Sequence, residues 1–370
     1  MDHRPFQEMV EYMSRDPKTA FNSILKGARQ YNASDIHLIA GLPPAVRVAG
    51  EILVVSNWEP LARDELNAMV DAVLTPLQRE RLDRERELCV SFFHEGYGRI
   101  RLSLYHRVGV TEMAIRLCNL EVKSAEELML PKAVSEFAEH TAGLILVTGP
   151  TGMGKTTTMN FIIDLINSTR RAKIVTIEDP VEFEHPHRKA IVTQIEVGTD
   201  TLSFARCLRH VLRLDPDVIA IGEMRDTDTI ETALTAAETG HLVLATLHTP
   251  SAVQTAERIV SSFDGSRQTQ VGFQLATTLL GVVAQRLIPS VDKKSRILAT
   301  EMMMANDAVR NMIREGNFHQ LHNAVTSGRA QGMHTLEHSL ADLYQRGLIT
   351  LDRAMANANL PSHLQGLLKE

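Results

Sequence analysis

The run Gly149-Pro150-Thr151-Gly152-Met153-Gly154-Lys155-Thr156 carries the residue types that hold a polyphosphate. Gly149, Gly152 and Gly154 let the backbone curl so that successive N–H groups point inward at phosphate oxygens, and the start of a helix adds partial positive charge. Lys155 reaches toward the β- and γ-phosphates, and the Thr156 hydroxyl offers one coordination position to Mg²⁺, with Thr157 following in the helix. The expected ligand is a nucleoside triphosphate.

Phosphate chemistry also needs acids and donors. Glu178-Asp179-Pro180-Val181-Glu182 follows one apolar run, and Glu178 and Asp179 are expected to hold metal-bound water. Gly222-Glu223 follows another, Val218-Ile219-Ala220-Ile221, where hydrolytic ATPases usually offer aspartate then glutamate. Glu223 is therefore the candidate general base for an attacking water, and Gly222 brings no metal contact. His241 and His248 flank a third apolar run, and His248 stands where a γ-phosphate or Glu223 would be in reach. Asp215 and Asp217 read as turn residues.

These groups must be delivered by strands. Gly143–Thr148 is an apolar run short enough for a buried strand, and a helical segment follows from Thr157 to Ser168. Strands at 143–148, 173–178, 217–222 and 241–246, with helices between, predict a parallel sheet covered on both faces, with ligands at the carboxyl ends of its strands. From Ala252 onward the chain reads almost entirely helical. Upstream, a helix over Pro17–Tyr31 buries Ala20, Phe21, Ile24, Leu25 and Ala28. After it come a strand at 33–39, a hairpin at 45–53, helices at 62–73 and 76–86, and strands at 88–93, 98–105 and 110–117. The charge run from Arg79 to Glu87 reads as a solvated helix face. The expected division is an α+β domain over 1–120, a connector at 121–142 with a short helix after Pro131, a core at 143–290 and a C-terminal region at 291–370.

Composition narrows the partners. Lys and Arg number 39 against 45 Asp and Glu, a net charge of −6, with no basic tract to follow a phosphate backbone. Nucleic acid is not expected as a direct partner. Cys89, Cys118 and Cys207 lack metal-ligand spacing and suit a reducing cytoplasm. No run of 18 apolar residues exists, and Met1-Asp2-His3-Arg4 is too polar for a signal peptide. A membrane role is expected only through other proteins.

Taken together, Gly149–Thr156, Ile177-Glu178-Asp179-Pro180-Val181-Glu182-Phe183, Gly222-Glu223-Met224-Arg225-Asp226 and Glu238-Thr239-Gly240-His241…Thr246-Leu247-His248-Thr249 resemble the Walker A, Asp, Walker B and His boxes of the secretion and type IV pilus ATPase superfamily. Ala33-Ser34-Asp35-Ile36-His37-Leu38…Gly41-Leu42-Pro43-Pro44…Arg47-Val48 is similar to that family's PAS-like N-terminal domain. Ala308-Val309-Arg310-Asn311-Met312-Ile313-Arg314-Glu315 resembles a helix motif of its retraction branch, the PilT type, and its polar face is expected to couple nucleotide state to pilus machinery. Two departures stand out: Met153 replaces a small loop residue, and Ser103–Gly109 differs from the family's Asn-rich stretch.

The resemblance implies an α/β protein: a RecA-like P-loop NTPase core after a PAS-like α+β domain, ending in a helical tail. It implies a homo-hexamer hydrolysing ATP with Mg²⁺ at subunit interfaces, completed by arginines among Arg209, Arg213 and Arg116, with Arg99 and Arg101 in similar stretches. Asp179 and His241 are implied near the nucleotide. The implied work is type IV pilus retraction and twitching motility from the cytoplasmic side of the inner membrane. Its partners would be a membrane platform protein and, as a further candidate, a second retraction ATPase. Assembly ATPases of the family are longer and carry a four-cysteine zinc insert that this chain lacks. The alternatives are a non-hydrolysing accessory subunit of a pilus motor and, against the acidic balance, a nucleic-acid translocase.

Overall fold

A computed structural model describes residues 16–48, 50–118, 121–292 and 295–369. The polar start Met1-Asp2-His3-Arg4, Ala49 of the expected hairpin and Leu120, the expected end of the first domain, lie outside these residues. The chain divides into two compact units. The first runs to Glu121 and takes in Glu182–Glu184, and the second comprises Val122–Val181 and His185–Glu370.

Among the described residues, the first unit is a six-stranded antiparallel sheet with three helices. Its strands are β1 (Asp35–Leu38), β2 (Ala45–Val48), β3 (Glu51–Val54), β4 (Glu87–His94), β5 (Gly98–Arg107) and β6 (Val110–Leu117), in the order β3-β2-β1-β6-β5-β4. The helix Pro17–Gln30 starts on an Asp16 cap and buries Ala20, Phe21, Ile24, Leu25 and Ala28, the stripe that its sequence period lays on one side. The charged helix Pro76–Glu85 buries only Leu82 and spends its charges on exposed pairs such as Arg81 with Glu85.

The second unit is built on a seven-stranded sheet. Its strands are β7 (Gly143–Thr148), β8 (Lys173–Glu178), β9 (Ile191–Glu196), β10 (Val218–Ile221), β11 (Leu242–Leu247), β12 (Leu279–Pro289) and β13 (Arg296–Met304), ordered β13-β12-β7-β11-β10-β8-β9. All neighbours are parallel except the β12–β13 hairpin. Every residue of β7, β10 and β11 is buried, as expected where helices cover both faces. On one face Ile145, Val147, Ile174, Val218 and Leu244 pack with Met159, Ile162 and Ile166 of the helix Lys155–Thr169. On the other, Leu144, Leu146, Val175, Ile219 and Val243 pack with the helices Phe204–Val211, Thr227–Glu238, Ala252–Ser261 and Gly265–Thr278.

Two features correct the sequence reading. The stretch beyond Ala252 contains a long hairpin, because the apolar run Leu279–Ala284 pairs in parallel with β7 and its strand turns back into β13. Periodicity alone does not separate such a buried strand from a buried helix. Strand β9 was also missed. It closes one edge of the sheet, where Ile191 stays 62% exposed and the apolar signal is weak.

After Met304 the chain is helical. The helix Asp307–Arg314 buries Val309 and Ile313 and leaves Ala308 exposed. Arg310 is not on a free polar face: its guanidinium donates to the Ala276 carbonyl and, at 2.8 Å, to that of Thr277, capping the C-terminus of Gly265–Thr278.

Candidate active site

The phosphate loop leaves the carboxyl end of β7 and enters the helix Lys155–Thr169 through three glycines with left-handed φ: +140° at Gly149, +78° at Gly152 and +81° at Gly154. At Gly149 a side chain is also excluded by packing, since a Cβ would stand 2.4 Å from the Gln285 carbonyl oxygen of β12. The hairpin braces the loop from one side. The Leu287 amide donates to Met153 Sδ at 3.2 Å, and Arg296 donates to the Gly152 carbonyl at 3.2 Å. Met153, a departure from a small residue, thus has a structural partner here. Gln285 Nε2 donates to Thr158 Oγ1 at 2.7 Å, below the loop.

Lys155 is 8% exposed, and its ammonium donates to the carbonyls of Gly149 at 2.8 Å and Pro150 at 3.1 Å. Burial lowers its pKa from the ordinary lysine value, with Glu223 acting the other way. It also lies 3.2 Å from His248 Nδ1, while His248 Nε2 lies 2.7 Å from Glu223 Oε1. An ammonium can only donate, so Nδ1 accepts and the imidazole proton is assigned to Nε2, from which it donates to Glu223. Thr151 Oγ1 reaches the same Nδ1 at 3.5 Å. The ends of β7, β10 and β11 are thereby joined in one line, Lys155 to His248 to Glu223.

The other oxygen of Glu223 accepts from Arg225 at 2.8 Å. Burial pushes the Glu223 pKa up, but the hydrogen bond from Arg225, the positive charge of that guanidinium and the hydrogen bond from His248 outweigh it and hold the carboxyl below its ordinary value. It is therefore ionised at neutral pH. A cavity of about 400 Å³ opens beside Glu223, Arg225 and His248, and Thr249, Pro250 and Arg258 share its lining. Arg225 had no assigned role in the sequence reading, although it stands two places from Glu223. Gln285 had no local signal at all, since it meets Thr158 across 127 residues.

The remaining residues fall into place by element. Glu178 ends β8, on the face shared with the helix Lys155–Thr169. It is 4% exposed, and its Oε1 accepts from Thr176 at 2.6 Å and Gln194 at 3.0 Å. Asp179 is exposed, precedes a cis proline and adds to the field on Arg225. At Gly222 a Cβ would sit 3.1 Å from the Ile177 carbonyl oxygen and 3.3 Å from Glu178 Cα, a tight fit that requires β8 to give by a few tenths of an ångström for any side chain there. Thr156 and Thr157 are half-buried in the first helical turn. Asp217 accepts from the Lys173 amide at 2.7 Å, and Asp215 adopts φ of +56° in the turn before it.

Some candidates are not gathered with these within the chain. His241 precedes β11, at the opposite end of that strand from His248, and its Nδ1 contacts the Ala236 carbonyl at 2.9 Å. Arg209 stands 4.0 Å from Asp228, and Arg213 is exposed. In the first unit, Arg116 pairs with its cross-strand neighbour Asp35 at 2.9 Å, Arg99 donates to Ser91 and Arg101 to Cys89 Sγ.

The pattern of the family "Type II/IV secretion system protein" matches residues 98–360. The chain is 39% identical to the type IV pilus retraction ATPase PilT of Pseudomonas aeruginosa, over 92% of this chain and 98% of that one. It is 36% identical to the type IV pilus ATPase PilU of the same organism, over 94% and 91%. Among solved structures, the pilus retraction motor PilT with bound ADP superposes with a TM-score of 0.87 at 43% identity, covering 93% of this chain and 98% of that one. The α/β architecture is therefore that of a retraction-type secretion ATPase.

Proposed function

The chain belongs to the Type II/IV secretion system protein family, and from that premise we propose that it is a Mg²⁺-dependent, hexameric motor that retracts type IV pili for twitching motility. It is an ATP hydrolase of the retraction type, with homologues named as ATPases and a PilT relative holding ADP. The observation that carries the proposal is the line Lys155–His248–Glu223, which connects the phosphate cradle to an ionised carboxylate.

In the proposed cycle the loop amides and Lys155 bind the β- and γ-phosphates, and Lys155 exchanges its carbonyl contacts for phosphate oxygens. Glu223 orients the attacking water and takes its proton. His248, which can donate only from Nε2 while Lys155 occupies Nδ1, keeps one Glu223 oxygen in place. Arg209, Arg213 and Arg116 are the proposed arginines that a neighbouring subunit contributes or receives.

No group of three His, Cys, Asp or Glu side chains with metal-binding geometry occurs among the described residues. The donor set fits Mg²⁺ nonetheless: Thr156 offers a hydroxyl at the helix start, the glycine cradle is free of Cβ atoms, and Mg²⁺ commonly takes most of its ligands from phosphates and water. Thr156 would hold the ion, with Glu178 and Asp179 able to receive its water. When bound, the ion supplies charge neutralisation on the phosphate oxygens.

Among the described residues no helix is long and apolar enough to cross a membrane. Work on the cytoplasmic side, through an inner-membrane platform protein, accords with that. Identity to PilU favours a second reading in which this chain shares retraction with another motor. Phosphate release by the purified protein, with its mass in solution, tests the motor. Lys155→Ala should abolish nucleotide binding or turnover while the fold survives, and unchanged phosphate release would overturn the assignment. Deletion of the gene in piliated cells separates the readings: a sole motor leaves no retraction, an auxiliary one only weaker retraction.

A further inference from the structure

Glu301 takes no part in the phosphate chemistry above, yet it meets the first residues of two helices whose N-caps are Ser251 and Thr335. It lies in β13 opposite Ala284 and is 4% exposed. Its Oε1 accepts from the Ala252 amide at 2.6 Å, and Ala252 is the first residue of Ala252–Ser261. The backbone of Leu336, first residue of Leu336–Gln345, also acts on the same carboxylate and favours its charged form. Each helix start presents unpaired N–H groups and a positive dipole end, so a single carboxylate shared by two starts fixes one against the other. Arg286 lies on the same face of the hairpin and adds positive charge, while Glu337 opposes it and is itself tied to the Leu360 amide at 2.8 Å.

Only Thr249, Pro250 and Ser251 separate His248 from Ala252. Thr249 Oγ1 contacts Thr255 Oγ1 of the same helix at 2.6 Å, so that short link is fastened at its first residue as well. Wherever the first turn of Ala252–Ser261 goes, the histidine follows. Burial is the larger influence on Glu301 and raises its pKa to about 7, the mark of a carboxyl kept inside at a cost in solvation.

We infer that Glu301 is a positioning residue for hydrolysis: it sets the start of Ala252–Ser261, and with it the His248 ring against Glu223 and Lys155, while the same carboxylate ties that placement to the C-terminal helices. The inference rests on the catalytic reading of Glu223 and His248. Small displacements of a catalytic group cost large factors in rate, so Glu301→Ala should lower kcat on the order of 10- to 100-fold. KM for ATP should stay within about threefold, because the phosphate cradle itself is untouched. Glu301→Gln keeps both the volume and an acceptor for the helix amides and should recover most of the loss, whereas Glu301→Leu keeps the volume alone and should not, a split that a simple packing role would not predict. If Glu301→Ala does not fold, Glu301→Leu fills the volume without accepting a hydrogen bond and carries the same expectation.

Soluble Ala or Leu variants with wild-type kcat would overturn the inference, as would a Gln variant no better than Ala. Glu223→Gln assayed alongside keeps the two ideas apart. If that variant turns over normally, the catalytic reading itself fails. If it is inactive while the Glu301 variants work at full rate, only the positioning role fails.

Discussion

Glu223 combines two demands that pull in opposite directions. A base should be near its working pH, yet this carboxylate is held below its ordinary range by Arg225 and His248. The arrangement favours a permanently ionised group that orients water over a strongly basic one. Glu223→Gln should bind ATP and release phosphate at least about 10²-fold more slowly, the usual scale for a lost acid–base group. Turnover within a few-fold of wild type would move the role to Glu178. Glu301 gives the opposite case in stability. Its pKa is raised from 4.5 to about 7, facing Arg286 and Glu337, so the folded state binds the extra proton between those values. Stability from this group is therefore fully present below pH 4.5 and lost as pH rises toward 7. Melting curves should show Glu301→Gln gaining on wild type from pH 5 to pH 8; a constant difference would mean that Glu301 does not titrate there.

Elements decide which residues were legible. The phosphate loop, Glu223 and His248 each end an apolar run, and parallel strands bring such ends to one edge, so a local pattern implied a spatial one. His241 shows the limit of that logic, since it begins its strand and faces the other edge. Gln285, Leu287 and Arg296 brace the loop from a hairpin whose apolar run had no distinguishing period. The helix Asp307–Arg314 was legible as an element with Arg310 on its polar face, but not the partners of Arg310, because they belong to the end of another helix. Arg310→Ala should cost about 1.5–3 kcal/mol in denaturant unfolding, the range for hydrogen bonds to a charged group. Asn311 is exposed and reaches only Glu315. Asn311→Ala should stay within about 0.5 kcal/mol and keep full ATP turnover, so it is the cleaner probe of a role in retraction. Loss of turnover in Asn311→Ala would return the whole helix to a structural role.

At the scale of the whole molecule, the arginines Arg116, Arg209 and Arg213 are spent on local partners or left exposed within one chain. That distribution suits a site shared between copies, and the proposed ring makes activity a property of assembly. Phosphate release per chain should rise with protein concentration and level off once rings form. Flat specific activity among species that remain monomeric by mass would refute sharing. Mixing Arg116→Ala with Lys155→Ala protein should restore part of the activity if each supplies what the other lacks. Strand β7 has its own bearing on how such a chain comes into being. The loop it carries lies between β11 and β12, both made much later in synthesis, and Gln285 must arrive before Gly149 has its backing. Loop closure over such spans is slow. A nascent chain halted after β11 therefore holds the whole Gly149–Thr156 run before the Gln285 carbonyl stands behind Gly149, so the order of synthesis separates the motif from its packing.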